Sequence, residues 1–249
     1  MVAKVASFVI FVMLTVDLLV AQNTGFTGSF TLNTHQIDAN GNKANERNLP
    51  LLISPERVRI NDLNRLDPTP VTNNLGARDM IIRLDVEDFV FLTADQQGIV
   101  VKKQELQSMM NLMMGNRGNT TTLQPEIESR RTSETKSING YTANKWVVKE
   151  KGSDTENHVW VSDEFNINWG MLTEPWVSGL PGVGLLPVGD MLTGGKTPLL
   201  VETIRNGAVV AIVQVGDINP NINYALLNVP NGTKLMTIQE MMLNRMRNF

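Results

Sequence analysis

A succession of short apolar runs, each ended by a turn signal, limits the folds open to this chain more than any other feature. MIIRLDV from Met80, DFVFLTAD from Asp88 and GIVVKKQ from Gly98 are too short for helices and rich in β-branched and aromatic residues. They predict a meander of antiparallel strands. Two further pairs of runs meet at Asn-Gly, the dipeptide that best tolerates the two positive φ angles of a tight hairpin turn. Arg130–Ile138 and Tyr141–Lys149 flank Asn139-Gly140, and Leu199–Arg205 and Ala208–Val215 flank Asn206-Gly207. His158-Val159-Trp160-Val161 reads as another strand, and Gly25–Thr34 as the first. Asn40-Gly41 marks a turn after that first strand, and Asp62–Ala77, rich in Asn, Pro and Asp, reads as a loop.

Helical spacing occurs twice. In ELQSMMNLMM, Glu105–Met114, the methionines recur on adjoining stripes until Gly115 ends the run, and Thr237–Arg247 places Ile238, Met241, Met242 and Met246 on one side. Met171–Lys196, dense in Gly and Pro with Leu, Val and Trp, reads as irregular. The fold class is therefore α+β, mainly β: a single β-rich domain over 22–249 with helices near 105–114 and 237–247.

The N-terminus predicts export. Lys4 precedes an apolar run, Val5–Val20, and Leu19-Val20-Ala21 offers a cleavage site before Gln22, so residues 1–21 read as a signal peptide. Asp17 opposes a permanent anchor, because a carboxylate in hydrocarbon costs about 2.5 to 3.5 kcal/mol on insertion scales. The expected location is periplasmic or extracellular, with no permanent membrane span after cleavage. The chain has no cysteine, which excludes disulfides, thiolate metal sites, a cysteine nucleophile and a lipidated cysteine. A net charge of -3 with both signs interspersed offers no basic stripe for nucleic acid.

Tests for chemistry return no reaction. The two histidines, His35 and His158, lack metal-ligand spacing, and no HExxH, GxSxG or EF-hand pattern occurs. Thr193-Gly194-Gly195-Lys196-Thr197 fails as a phosphate loop because Asp190 stands where its first glycine belongs. Gly182 and Gly184 fail as a dinucleotide fingerprint because Pro187 stands at its last glycine. Carboxylates cluster at Asp85, Glu87 and Asp88 and at Asp163 and Glu164, but adjacent residues on a strand point to opposite faces, so adjacency does not make an acid pair. No catalytic residue, cofactor or metal is expected. The methionines admit two roles, core filling or an adaptable apolar surface. In the second, Met109, Met110, Met113 and Met114 line a cavity between sheet and helices, together with Trp169, Trp176, Leu180 and Leu185.

Ser137-Ile138-Asn139-Gly140-Tyr141, Lys145-Trp146-Val147-Val148 and Val159-Trp160-Val161-Ser162, with the tail Val229–Met236, resemble an exported bacterial family, the domain of unknown function 4412. The resemblance covers Glu128–Met236. It implies a curved antiparallel sheet, a half-barrel packed on a few helices, similar to lipoprotein carriers of the Lol type, whose concave apolar face receives acyl chains. It implies no catalytic residues. The expectation is an exported, non-enzymatic protein of the cell envelope that binds a lipid, a lipidated protein or another apolar ligand in a half-open sheet. The alternative is an envelope assembly protein with a filled core that grips a protein partner through the Asp62–Ala77 loop or a sheet edge. A hydrolase using Asp85, Glu87 or Asp163 is the third reading.

Overall fold

The computed structural model describes residues 25–63, 76–105, 108, 127–173 and 192–247. The strands are β1 (Gly28–Ile37), β2 (Lys43–Ile53), β3 (Arg57–Ile60), β4 (Ala77–Arg83), β5 (Asp88–Thr93), β6 (Gln97–Lys102), β7 (Ile127–Ile138), β8 (Tyr141–Glu150), β9 (Thr155–Ser162), β10 (Thr197–Arg205), β11 (Ala208–Asn219) and β12 (Lys234–Thr237), followed by helix α1 (Ile238–Arg247). They form one curved, unclosed sheet in the order β12-β6-β5-β4-β3-β2-β1-β11-β10-β9-β8-β7. Every neighbouring pair is antiparallel except β12 and β6. The architecture is mainly β, α+β, with a half-barrel curvature.

Turn chemistry explains the hairpins. Asn139 and Gly140 have φ of 51° and 86°, and Asn206 and Gly207 have 51° and 77°, so each pair supplies the two left-handed residues that join twisted strands. At the β1–β2 turn, Asp38 Oδ1 accepts from the backbone N–H of Asn40 and of Asn42, both at 2.8 Å. The bond from Asn42 N–H is the main cause that holds the Asp38 carboxyl below the usual carboxylate range, with desolvation opposing it and the Asn40 bond adding to it.

The core follows the register. Phe30, Leu51, Ile60, Met80, Phe91, Ile99 and Met236 stand opposite one another in turn from β1 to β12, none more than 8 % exposed. A parallel row, Ile53, Val58, Ile82, Phe89 and Val101, is sealed from solvent. On the other face of the same strands Ile81, Val90 and Leu92 are also buried, with Val229 packed against them. Strands buried on both faces have no polar side, which is why DFVFLT reads as a continuous apolar run.

The covering on that second face comes from the chain after β11. A 3₁₀ turn, Tyr224–Leu227, is capped by Asn223, whose side chain accepts from Ala225 N–H, and Leu227 is buried. Arg59 donates to the Leu226 carbonyl at 2.8 Å and Arg57 to Asn228 Oδ1. The strap then reaches the far edge, where β12 adds to β6. A Cβ at Gly98 would lie 2.6 Å from Leu235 Cδ2, so a larger residue there would push the end of that exposed side chain aside.

Beneath the strap runs a ladder of opposite charges. Arg59 pairs with Asp79 at 2.8 Å, Arg57 with Asp85 at 3.7 Å, and Arg83 makes two bonds to Asp88. The Asp88 bonds hold the Arg83 guanidinium above its ordinary value, with desolvation opposing.

Three strands, β2, β3 and β12, are absent from the sequence reading. The first half of β2 is mostly exposed and polar, and only Leu49, Leu51 and Ile53 enter the core. Pro50 sits inside this strand at little cost. Its carbonyl accepts from Asn61 N–H at 3.2 Å, so its missing N–H faces the point where the β3 ladder has already ended. The 4-residue β3 and β12 carry too little pattern to be seen alone.

Candidate functional site

Of the residues expected to line a ligand cavity, Trp169 is the one within the described residues. Met109, Met110, Met113, Met114, Trp176, Leu180 and Leu185 lie outside them, as do nearly all of the 105–114 segment and of the Asp62–Ala77 loop. Trp169 follows β9 in a segment that closes one end of the sheet. Phe26 N–H donates to the Asn166 carbonyl at 3.1 Å and Ile167 N–H to the Gly195 carbonyl at 2.9 Å, and Asn168 Nδ2 donates to the Pro55 carbonyl at 2.9 Å. Phe165 stacks between Phe26 and Tyr141, with ring centroids 5.4 and 4.4 Å away. Gly195, with φ of 80°, leaves no space for a side chain, since a Cβ would lie 2.6 Å from Asn166 Cα.

These contacts frame a cleft of about 580 Å³, within the range of small-molecule sites. Trp169 and Leu192 give it carbon surface, and Asn166, Asn168 and the backbone of Gly194 and Gly195 give it amides. Trp169 is almost fully buried and donates its indole N–H to the Lys196 carbonyl at 2.7 Å, so its ring is fixed as a wall. None of the described residues lining the cleft titrates near neutral pH. Its amides can orient a ligand by hydrogen bonds, with no acid, base or nucleophile among those residues.

A second cleft, about 600 Å³, lies between α1 and the edge strands β6 and β12. Ile99, Met236 and Met241 form its apolar part, while Asp95, Lys234 and Arg247 are exposed on its walls. The register puts Met236 opposite Ile99 and Lys234 opposite Gln97, so strand alternation brings a cation and a methionine to one side. The sequence marks α1 as an amphipathic helix but not this groove, because β12, which makes its other wall, carries no pattern of its own.

Asp163 is exposed, and several of the other groups that could carry chemistry are engaged structurally. Asp88 is buried against Arg83, Asp85 meets Arg57, and Glu87 meets Lys103 at 3.7 Å. Glu164 accepts from Thr142 N–H at 2.8 Å. His158 Nε2 lies 2.8 Å from Glu156. His35 is reached from His158 only across Glu202 and Ile212, three strand spacings or about 14 Å. Among the described residues no group of three or more His, Cys, Asp or Glu is placed to hold a metal. Trp160 donates to Glu202 at 3.1 Å, and Lys136 and Lys145 stand 5.4 and 5.7 Å from its ring centroid. Its ring is nearly closed to solvent, so this cluster staples β8, β9 and β10 together.

No family model and no curated protein matches the chain. Among solved structures it is similar to PNGF-II in space group C2, with a TM-score of 0.42 and 13 % identity over 89 % of this chain and 32 % of that one. The same protein in space group P21 gives 0.41 and 15 % over 88 % and 33 %. The chain spans about a third of the length of the structures it matches.

Proposed function

We propose that this chain is an exported, non-enzymatic binding protein of the cell envelope that holds an apolar or amphiphilic ligand by reversible burial. The observation that carries the reading is an unclosed, curved sheet with a cleft of about 580 Å³ at its end, walled by a fixed indole and free of titrating groups among the described residues. Burial of a hydrocarbon chain yields about 0.8 kcal/mol per CH₂ and needs no charged contact. The apolar run before Gln22 and the resemblance of Glu128–Met236 to an exported family support the location. Among the described residues no helix is long and apolar enough to cross a membrane.

The test is native mass spectrometry of the gently purified chain, with titration of a fluorescent fatty-acid analogue. A bound lipid, displaced by the analogue and lost on Leu192→Asp, is the expected result. A ligand-free chain that ignores the analogue overturns the reading.

One observation favours the second reading, an envelope interaction protein with a filled core. The rows from Phe30 to Met236 and from Ile53 to Val101 are sealed, so a ligand cannot reach that part of the sheet without displacing what covers it. This reading predicts a stoichiometric protein partner in an envelope pull-down and no bound lipid.

A further inference from the structure

The segment that walls the cleft at Trp169 alternates. Phe165, Ile167, Trp169 and Met171 are buried, none more than 5 % exposed, while Asn166, Asn168 and Gly170 between them are open to solvent. The alternation commits the apolar side chains to the core and leaves two carboxamides along the cleft. Leu192 across from them is only 2 % exposed. The carbon walls of the cleft thus lie mostly behind its surface, and what a ligand meets first is amide.

These amides are held in place. Asn168 spends one side-chain N–H on the Pro55 carbonyl at 2.9 Å, which leaves its other N–H and its Oδ1 for a ligand. Asn166 has a φ of 49°, a conformation that asparagine tolerates, and its Oδ1 packs over Gly195, 2.5 Å from where a Cβ would stand. Gly195 is fixed in turn by its carbonyl, which accepts from Ile167 N–H. Beside it Gly194, with φ of 74°, has open space where a side chain would project, so a ligand can approach its peptide group closely.

A carboxamide gives and takes hydrogen bonds and carries no charge. An anion placed against this lining would give up its hydration without meeting a cation among the described residues, and a hydrocarbon would leave the amides unbonded. Hydroxyl groups, which also give and take, satisfy both demands. We infer that the cleft receives an uncharged polyhydroxyl group, with Asn166, Asn168 and the Gly194 and Gly195 peptides as its hydrogen-bond partners. Such a group is carried by a free saccharide or by the head of a glycolipid. The inference rests on the reading of this cleft as the binding site and names the part of the ligand that the cleft holds.

Two-dimensional amide NMR of the purified chain tests it, with octyl glucoside, octyl phosphate and octanol each added at concentrations where they are monomeric. Octyl glucoside is expected to shift the side-chain amide signals of Asn166 and Asn168 and the N–H signals of Gly194 and Gly195. It is expected to bind at least about tenfold more tightly than the other two, the worth of one or two hydrogen bonds. Asn166→Gly and Asn166→Asp both suit the positive φ, and each is expected to remove this preference with an unchanged melting temperature. Equal binding of the three probes, shifts confined to other residues, or the wild-type preference in both variants overturns the inference. Equal binding at the cleft leaves the carrier reading standing, so the two fail separately. Methyl glucoside distinguishes the sources. Binding as tight as that of octyl glucoside supports a free saccharide and counts against burial of a hydrocarbon chain, while weaker binding supports a glycolipid head.

Discussion

The two halves of the sheet solve the burial problem differently. In β3 to β6 both faces are covered, one by the core rows and the other by the strap from Tyr224 to Val229, so β5 is buried from Asp88 to Leu92. At the opposite edge β7 is almost wholly exposed, with Thr132 partly and Ile138 fully buried, and Glu128, Arg130, Arg131, Glu134 and Lys136 along it. Its register shifts between Arg131 and Thr135, where Lys145 reaches Glu134 at 3.1 Å. A long free edge is a template for pairing with another chain, and dense charge and a bulge are how such edges are kept single. Stability is thus concentrated around β4 and β5, and solubility is managed at β7.

That contrast can be broken most directly at its stable end. Phe89→Ala empties a fully buried site between Ile82 and Val101 and is expected to cost about 3–5 kcal/mol in urea denaturation, against under about 0.5 kcal/mol for Ser129→Ala on β7. Equal effects would refute the contrast.

The charge ladder comes next. Asp88→Ala leaves the partly buried Arg83 without its partner and is expected to cost about 2 kcal/mol, while Glu134→Ala at the exposed edge costs within about 0.5 kcal/mol. Thr197 provides a change of opposite sign. Its hydroxyl is buried without a hydrogen-bond partner, so Thr197→Val is expected to stabilise by about 1 kcal/mol in the same assay.

The smallest effect concerns acid. Glu240 is held below the usual carboxylate range chiefly by the Thr237 N–H, then by the Thr237 hydroxyl, with Lys234 adding to this against desolvation. A depressed folded value means that its contribution is present above the unfolded value and is lost as pH falls through the folded one. Amide exchange at Thr237 is expected to quicken on acidification through that window and to lose this pH dependence in Glu240→Gln. An unchanged profile would remove the cap from the account of α1.

Legibility tracked locality. MIIRLDV, DFVFLTAD and GIVVKKQ are strands β4 to β6 because their own composition demands burial, and Asn139-Gly140 and Asn206-Gly207 are hairpins because their own backbone freedom suits the turn. The first half of β2 is polar, and it is a strand because β1 lies beside it, pairing Asn33 with Asn48 and Gln36 with Ala44. Of the cleft that Trp169 lines, no pattern in the sequence foretold the assembly, because Gly25, Pro55 and Gly195 come from distant stretches.

By itself the sequence determined the mainly β class, the two Asn-Gly hairpins and the apolar rows, since period and turn preference act between neighbours along the chain. Only the tertiary structure decided that β12 would return to β6 in parallel, that Arg57 and Arg59 would hold a strap on the outer face, and that Met242, Leu243 and Met246 would be left outside. Those outcomes depend on contacts between residues far apart in the chain, and no local pattern encodes which distant surface will be free to receive them.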